Sequence, residues 1–226
     1  MTLETYKSQF IDFMVRSNVL TFGDFTTKSG RKTPFFINTG RYRNGDQMNR
    51  LAGFYADAIE AQDVSFDFLF GPAYKGIPLV VAISMELSRR GRNVPFCFNR
   101  KEVKDHGEGG SLVGHPPEDG QQALIVEDVT TAGTSIRETV PVLKAAANVR
   151  PSGLVVSVDR MERGTGSRNA LVELRHEFDI QTFAIVTIEE VADYLRNREV
   201  DGKVVVTDDL YQKIQAYRQQ YGGETE

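Results

Sequence analysis

The amino-acid sequence predicts an α/β fold: a central, mostly parallel sheet flanked by helices, with a small N-terminal β element. Three observations carry this prediction. From residue 66 onward, short and wholly apolar runs alternate with longer segments of helical periodicity, the pattern of buried parallel strands joined by crossover helices. Ahead of them, two β-prone stretches flank Ser29-Gly30 and read as a hairpin. The chain of 226 residues is 40% hydrophobic and carries no repeat, low-complexity tract or linker, so residues 1–226 are expected to form a single domain.

The elements follow in order. Residues 3–17 place Leu3, Tyr6, Phe10, Phe13 and Met14 on one stripe at helical spacing, and Phe25 to Ile37 supplies the hairpin. Residues 47–61 read as an amphipathic helix with Leu51, Phe54, Tyr55, Ala58 and Ile59 on one face. Then come strand 66–70, helix 76–90, strand 94–98, a polar glycine-rich interruption over 100–120, strand 123–126, helix 134–147 and strand 154–158. Helix 167–178, strand 181–186, helix 188–197 and a closing helix 207–221 complete the chain. In such a sheet the chemistry sits beyond the carboxyl ends of the strands, here loops 71–76, 99–120, 127–135 and 159–166.

Composition excludes several classes. Lys plus Arg number 27 against 31 Asp plus Glu, a formal net charge of −4. A binder of long nucleic acids or a polybasic membrane anchor needs a basic excess, so neither partner is expected. Cys97 is the only cysteine, which excludes an intrachain disulfide and leaves a thiolate zinc site without partners. It lies in an apolar run and reads as a buried small hydrophobe. His115 and His176 show no ligand spacing and are expected at the surface. Met1 to Lys7 has no signal-peptide core, and the longest apolar stretch, Ile77 to Ile83, is far short of the about 20 residues that span a bilayer. The expected address is cytoplasmic.

Residues 124–135 run from an apolar strand into Glu127 and Asp128, then through small hydroxyl residues and Gly133 into a helix. Adjacent carboxylates suit the vicinal hydroxyls of a sugar, or a divalent cation reached through water. Backbone N–H groups and threonine hydroxyls at a helix N-terminus suit a phosphate. The same residues also fit an ordinary strand-to-helix loop, with Thr134 or Ser135 as the cap.

Arg100, Lys101, Lys104 and His106 gather four cationic groups within seven residues, followed by Gly107, Gly109, Gly110 and Gly114. A cationic lid that closes over a multiply charged leaving group fits this pattern; so does a solvated loop balanced by Glu102, Asp105 and Glu108. Gly71 to Gly76 has glycines at both ends, which allow close backbone approach to a ligand. Arg160 ends another strand, placed either to grip a carboxylate or to join a surface ion-pair cluster with Asp159, Glu162 and Arg163.

The string Leu124 to Ser135 resembles the phosphoribosyl-pyrophosphate motif of type I phosphoribosyltransferases, in which apolar residues precede two acids and a Thr-Ala-Gly-Thr turn. Glu127 stands where many members carry Asp. Neither a Walker A ending nor a Gly-x-Gly-x-x-Gly is present. Asn99 to Gly109 closely resembles the catalytic loop of one subgroup, the orotate phosphoribosyltransferases, and the resemblance runs over roughly residues 8–200. It implies the type I phosphoribosyltransferase fold, with a β hood formed largely by residues 18–45 and a flexible catalytic loop at about 100–117.

The resemblance also implies roles. Tyr74, Lys75, Arg100, Lys101, Lys104, His106, Glu127 and Asp128 would contact phosphoribosyl pyrophosphate. So would the turn Val129, Thr130, Thr131, Ala132, Gly133, Thr134 and Ser135, with the 5′-phosphate clamped over 130–135. Lys28, Phe36, Ile37, Thr131 and Arg160 would hold orotate. Lys101, Lys104, His106 and Asp128 would be catalytic. The implied activity is a pentosyl transfer that forms orotidine 5′-monophosphate and pyrophosphate in de novo pyrimidine synthesis. Mg2+ is the implied cofactor, with no direct protein ligand assigned, and the implied assembly is a homodimer whose catalytic loop covers the neighbouring subunit's site. Two other readings remain: transfer to a purine, which leaves Arg160 without a carboxylate to bind, and a regulator that senses phosphoribosyl pyrophosphate, which needs a nucleic-acid-binding element not visible here.

Overall fold

The computed structural model describes residues 3–27, 30–104, 110–130 and 132–225, with the side chains of residues 102–104 and 110 outside that description. Helix α1 (Thr5–Arg16) leads into a hairpin of β1 (Leu20–Thr26) and β2 (Lys32–Ile37), in which Leu20 faces Ile37 and Thr26 faces Lys32. A 3-10 turn (Thr39–Arg41) and helix α2 (Gly45–Glu60) follow.

The main sheet is built from β3 (Phe68–Gly71), β4 (Phe96–Lys104), β5 (Gly110–Gly114), β6 (Gln122–Val126), β7 (Arg150–Asp159) and β8 (Gln181–Thr187). Across the sheet the order is β5-β4-β3-β6-β7-β8, parallel throughout except that β5 runs antiparallel to β4. Helices α3 (Gly76–Arg89), α4 (Thr134–Ala146) and α5 (Ala170–Phe178) connect the strands. Helix α6 (Ile188–Leu195), a short hairpin of β9 (Glu199–Val200) and β10 (Lys203–Val204), and helix α7 (Asp208–Tyr221) end the chain.

The apolar runs are explained by burial on both faces of the sheet. Leu124 and Val126 of β6 and Val155 and Val158 of β7 join the core that contains α1, α2, α3 and α6. Their neighbours Ala123, Ile125, Leu154 and Val156 point the other way, into a second core with Ile136, Val140 and Leu143 of α4 and Leu171 and Leu174 of α5. Each fully buried aliphatic side chain contributes about 1.5–3 kcal/mol, so two facing cores fix the register firmly. Cys97 is fully buried in the second core, and burial pushes its thiol up to about 12.

Three expectations are corrected. The stretch 100–120 is not a loop throughout: β4 continues to Lys104 and β5 returns beside it, pairing Phe98 with Val113 and Asn99 with Leu112. Polar residues mislead here because β5 is an edge strand and its partner's extension has water beside it. Of the expected catalytic loop at about 100–117, residues 100–104 and 110–114 are strand, and 105–109 lie outside the described residues. His115 is half-buried rather than on the surface: its ring centroid lies 5.3 Å from that of Phe68, and Nε2 is 3.0 Å from Gln121 Oε1. His176 is exposed as expected. The closing helix is found as expected: α7 packs against β2 of the hairpin.

Topology places the site. The chain leaves β3 for β4 on one side, while β6 leads to β7 and β8 on the other. The direction reverses between β3 and β6, and a crevice opens beyond their carboxyl ends.

Candidate active site

The turn between β3 and α3 is set by two glycines. A Cβ on Gly71 would lie 2.4 Å from the carbonyl oxygen of Gly76, and one on Gly76 would lie 2.7 Å from the carbonyl carbon of Gly71. The sequence reading assigned these glycines to close approach of a ligand; their immediate reason is the approach of strand end to helix start. The turn leaves Tyr74 and Lys75 exposed, and Lys101 Nζ lies 5.3 Å from the centroid of the Tyr74 ring. The peptide bond between Ala73 and Tyr74 is cis. The Ala73 N–H donates to Oδ1 of buried Asn99 at 2.8 Å, tying this turn to β4.

Strand β6 delivers Glu127 and Asp128 to the crevice. Their backbone is anchored from two directions: Tyr55 Oη donates to the Glu127 carbonyl at 2.7 Å, and the Ser157 hydroxyl and N–H donate to the Asp128 carbonyl at 2.6 and 2.9 Å. The two carboxyl groups then diverge. Glu127 is buried and accepts from Ser135 Oγ at 2.7 Å and from the Asp128 N–H at 3.2 Å. Burial first, and then the charge of Asp128, pushes it up to about 7 against the lowering hydrogen bond from Ser135. Asp128 Oδ2 accepts from Lys75 Nζ at 2.7 Å and from Thr39 Oγ1 at 2.5 Å, and Lys75 also reaches Thr39 Oγ1 at 3.1 Å.

Beyond the acids, Gly133 sits at the N-terminus of α4 with φ of +73°, and a Cβ there would lie 2.8 Å from Leu174 Cδ2. Only glycine fits both demands. No side chain caps α4, so the capping role open to Thr134 or Ser135 is not taken. Helix α3 also lacks a side-chain cap, whereas α2, α5, α6 and α7 are capped by Asn44, Asn169, Thr187 and Thr207. In α3 the Gly76 and Ile77 N–H groups donate to the Pro72 and Tyr74 carbonyls at 2.9 and 3.3 Å and Pro78 has none, so of the two helices that begin at the crevice it is the start of α4 that suits an anion. Arg137 holds the turn in place, donating to the Ala132 carbonyl while its Nη2 pairs with Glu177 at 2.6 Å. Val129, Thr130 and Ala132 are half-buried along the same turn. A cavity of about 500 Å³ lies between these elements, lined by Tyr74, Lys75, Arg100, Lys101, Glu127 and Ser135 among others. That is ample for a small phosphorylated ligand.

The far wall is different. Arg160 is buried, its guanidinium carbon 4.8 Å from the centroid of the Phe35 ring. Its Nε and Nη2 both donate to Glu162 Oε1, at 3.0 and 2.5 Å. The expected surface ion-pair cluster is not formed. The Arg160–Glu162 pair is internal, Asp159 accepts from the Met161 N–H and Asn169 Nδ2, and Arg163 donates to the Gln220 carbonyl. Phe36, expected against the base, is 40% exposed and packs on Phe25; Ile37 is half-buried against the core. The ring that meets Arg160 is Phe35, one residue earlier.

Lys28, His106 and Thr131 lie outside the described residues, and of Lys104 only the backbone, at the end of β4, is described. Among the others, the structure brings Tyr74, Lys75, Arg100, Lys101, Glu127, Asp128 and Ser135 to one crevice. Sequence reasoning missed Thr39, Tyr55, Asn99, Ser157, Glu162 and Tyr217. Thr39 directly follows the hairpin segment already singled out, and Glu162 sits two residues from Arg160; the others carry no local signal.

The chain matches a family model described as phosphoribosyl transferase domain over residues 39–188. It is 56% identical to the orotate phosphoribosyltransferase of Clostridium acetobutylicum, over 97% of this chain and 99% of that one. With the orotate phosphoribosyltransferase of Lachnoclostridium phytofermentans the identity is 57%, over 98% and 100%. Among solved structures, an orotate phosphoribosyltransferase of Francisella tularensis superposes with a TM-score of 0.83 at 37% identity, covering 95% of this chain and all of that one.

Proposed function

The chain belongs to the orotate phosphoribosyltransferases of the phosphoribosyl transferase domain family, and from that premise we infer how its own residues carry the reaction. The enzyme joins orotate to phosphoribosyl pyrophosphate, releasing pyrophosphate and forming orotidine 5′-monophosphate. The observation that carries the assignment of roles is the convergence, at one topological switch point, of two acids, the N-terminus of α4 without a side-chain cap and a row of cations.

The 5′-phosphate takes the N–H groups of the turn 129–135 and the start of α4, including Thr131, which lies outside the described residues. Asp128, with Glu127 behind it, receives the ribose hydroxyls close to the carbon that gains positive charge as the bond to pyrophosphate lengthens. Lys75 leaves Asp128 for the departing pyrophosphate, with Tyr74, Arg100 and Lys101 beside it. Lys104 and His106 close over the same group from the β4–β5 hairpin, which a homodimer would present to the neighbouring subunit. Arg160 holds the orotate carboxylate, with Lys28, Phe36 and Ile37 completing the base side. Catalysis is then mostly positional and electrostatic.

The adjacent carboxyl groups of Asp128 and Glu127 fit Mg2+ as a cation they would hold through water together with the substrate. When bound it offsets charge on the leaving group. No described helix is long and apolar enough to cross a membrane, and the reaction's soluble substrates favour a cytoplasmic address for a chain folded as one domain.

The test is direct. Protein, Mg2+ and phosphoribosyl pyrophosphate with orotate should consume orotate absorbance, and adenine in its place should not react. Turnover with adenine alone would sink the assignment. Lys104→Ala should lower kcat at least about tenfold without lowering the melting temperature, as expected when a charge aimed at the leaving group is removed. A rate within twofold of wild type would take Lys104 out of the chemistry.

A further inference from the structure

Glu162, which the sequence offered only as a member of a surface ion-pair cluster, is a buried carboxylate with three partners. Its Oε1 accepts from Arg160 Nε and Nη2 and from Tyr217 Oη at 2.8 Å, and its Oε2 lies 3.6 Å from Arg31 Nη1. Arg160, Glu162 and Tyr217 are 8%, 6% and 5% exposed. The Phe35 ring, fully buried, meets the guanidinium on one side and the Tyr217 ring edge-on at 5.6 Å. Tyr217 comes from α7, and the residues that follow α7 run back along the loop after β7. The Arg163 N–H donates to the Tyr221 carbonyl at 3.0 Å, the Gly223 N–H to the Met161 carbonyl at 3.0 Å, and the Asn169 N–H to the Glu224 carbonyl at 2.8 Å. The loop that carries Arg160 is therefore held by the C-terminal segment.

A guanidinium has a limited set of edges, and each takes one carboxylate. With the Nε side committed to Glu162, an incoming carboxylate is left with the end that carries Nη1. The stacked Phe35 ring fixes the plane in which that end lies. A hydroxyl donating to Glu162 holds the carboxylate that holds the arginine, and a long side chain held this way loses little further freedom on binding.

We propose that Glu162 and Tyr217 are positioning residues for base recognition: they fix the Arg160 guanidinium so that its Nη1 end meets the carboxylate of the pyrimidine. The proposal rests on the reading that Arg160 binds that carboxylate, and the test separates the two.

Steady-state kinetics on the full chain with Tyr217→Phe, Glu162→Gln and Arg160→Ala decide it, with melting temperatures alongside. Tyr217→Phe keeps the ring on Phe35 and removes one hydrogen bond to a charged group, so the KM for orotate should rise about five- to tenfold. The KM for phosphoribosyl pyrophosphate and kcat should each change less than about twofold, since neither depends on the orientation of Arg160. Glu162→Gln should raise the orotate KM further. If Arg160→Ala raises the orotate KM and Tyr217→Phe does not, the positioning role is overturned while the reading of Arg160 stands. If Arg160→Ala leaves the orotate KM unchanged, the reading itself falls. A lower orotate KM in Glu162→Gln would make Glu162 a competitor of the substrate and overturn the proposal. So would a parallel rise in both KM values with a depressed melting temperature, the signature of a purely structural role.

Discussion

Two ion pairs stand beyond neighbouring strand ends, Lys75–Asp128 after β3 and β6 and Arg160–Glu162 after β7, and their contacts are almost equally short. Lys75 lies 2.7 Å from Asp128, and Arg160 lies 2.5 Å from Glu162. What separates them is water. The Lys75 side chain is 59% exposed, whereas those of Arg160 and Glu162 are 9% and 7% exposed. An exposed pair holds its partners by about 0–1 kcal/mol, and its cation exchanges one anion for another readily. Breaking a buried pair by removing one member costs about 3–5 kcal/mol. In the roles proposed above, the same chemistry would serve as a displaceable contact beside the sugar phosphate and as a fixed frame beside the base. That division suits a reaction in which the pyrophosphate departs while the base must arrive in one orientation.

Three changes test this contrast, in order of expected size. Asp128→Asn removes both the partner of Lys75 and the acid proposed for the ribose hydroxyls, so kcat/KM should fall about a hundredfold or more with the orotate KM little changed. A loss below about threefold in the orotate-consumption assay would remove the displaceable pair from the mechanism. Gly133→Ala forces a side chain into a left-handed backbone and against Leu174, and should destabilise the protein by about 1–2 kcal/mol in denaturant titration. Its kinetic effect should fall on the KM for phosphoribosyl pyrophosphate and spare that for orotate; an equal effect on both would mean that the two walls are not independent.

The smallest effect concerns Glu127. Its pKa is raised by burial from 4.5 to about 7, so the folded protein binds this proton more tightly than the unfolded chain does. Stability should therefore decline as pH climbs from about 4.5 through about 7 and level off above. Glu127→Gln cannot ionise and should flatten the decline, leaving only what other groups contribute, such as Asp159, which burial also raises. Melting curves across that range measure it, and an unaltered decline in Glu127→Gln would place the ionisation elsewhere.

Strand order apart, the layers were legible because burial on both faces leaves apolar runs that polar helices interrupt. The acids and the phosphate turn were legible because contiguous residues build them: Glu127, Asp128 and Gly133 act within one loop. The fixed wall was not. Arg160 was identified, but Phe35 meets it from β2 and Tyr217 reaches its partner Glu162 from α7, and nothing in a linear string relates residue 35 to residue 217. The β4–β5 hairpin was hidden for another reason: an edge strand with water on one side reads as a loop when its residues are charged. The capping role open to Thr134 or Ser135 failed because Gly133 holds the N-cap position and both hydroxyl residues lie inside the first turn of α4.

The contact between Phe35 and Tyr217 has a consequence for how such a protein can change. The sugar-phosphate wall is written in the middle of the chain, and the family model matches only residues 39–188. The wall around Arg160 is completed by the two ends, β2 before that span and α7 after it. Those ends touch each other, so neither can be traded alone without leaving a ring against a foreign surface. A chimaera that aims to transplant the proposed base side must carry both termini from the same donor, as one inherited unit, together with the Arg160–Glu162 segment that lies between them.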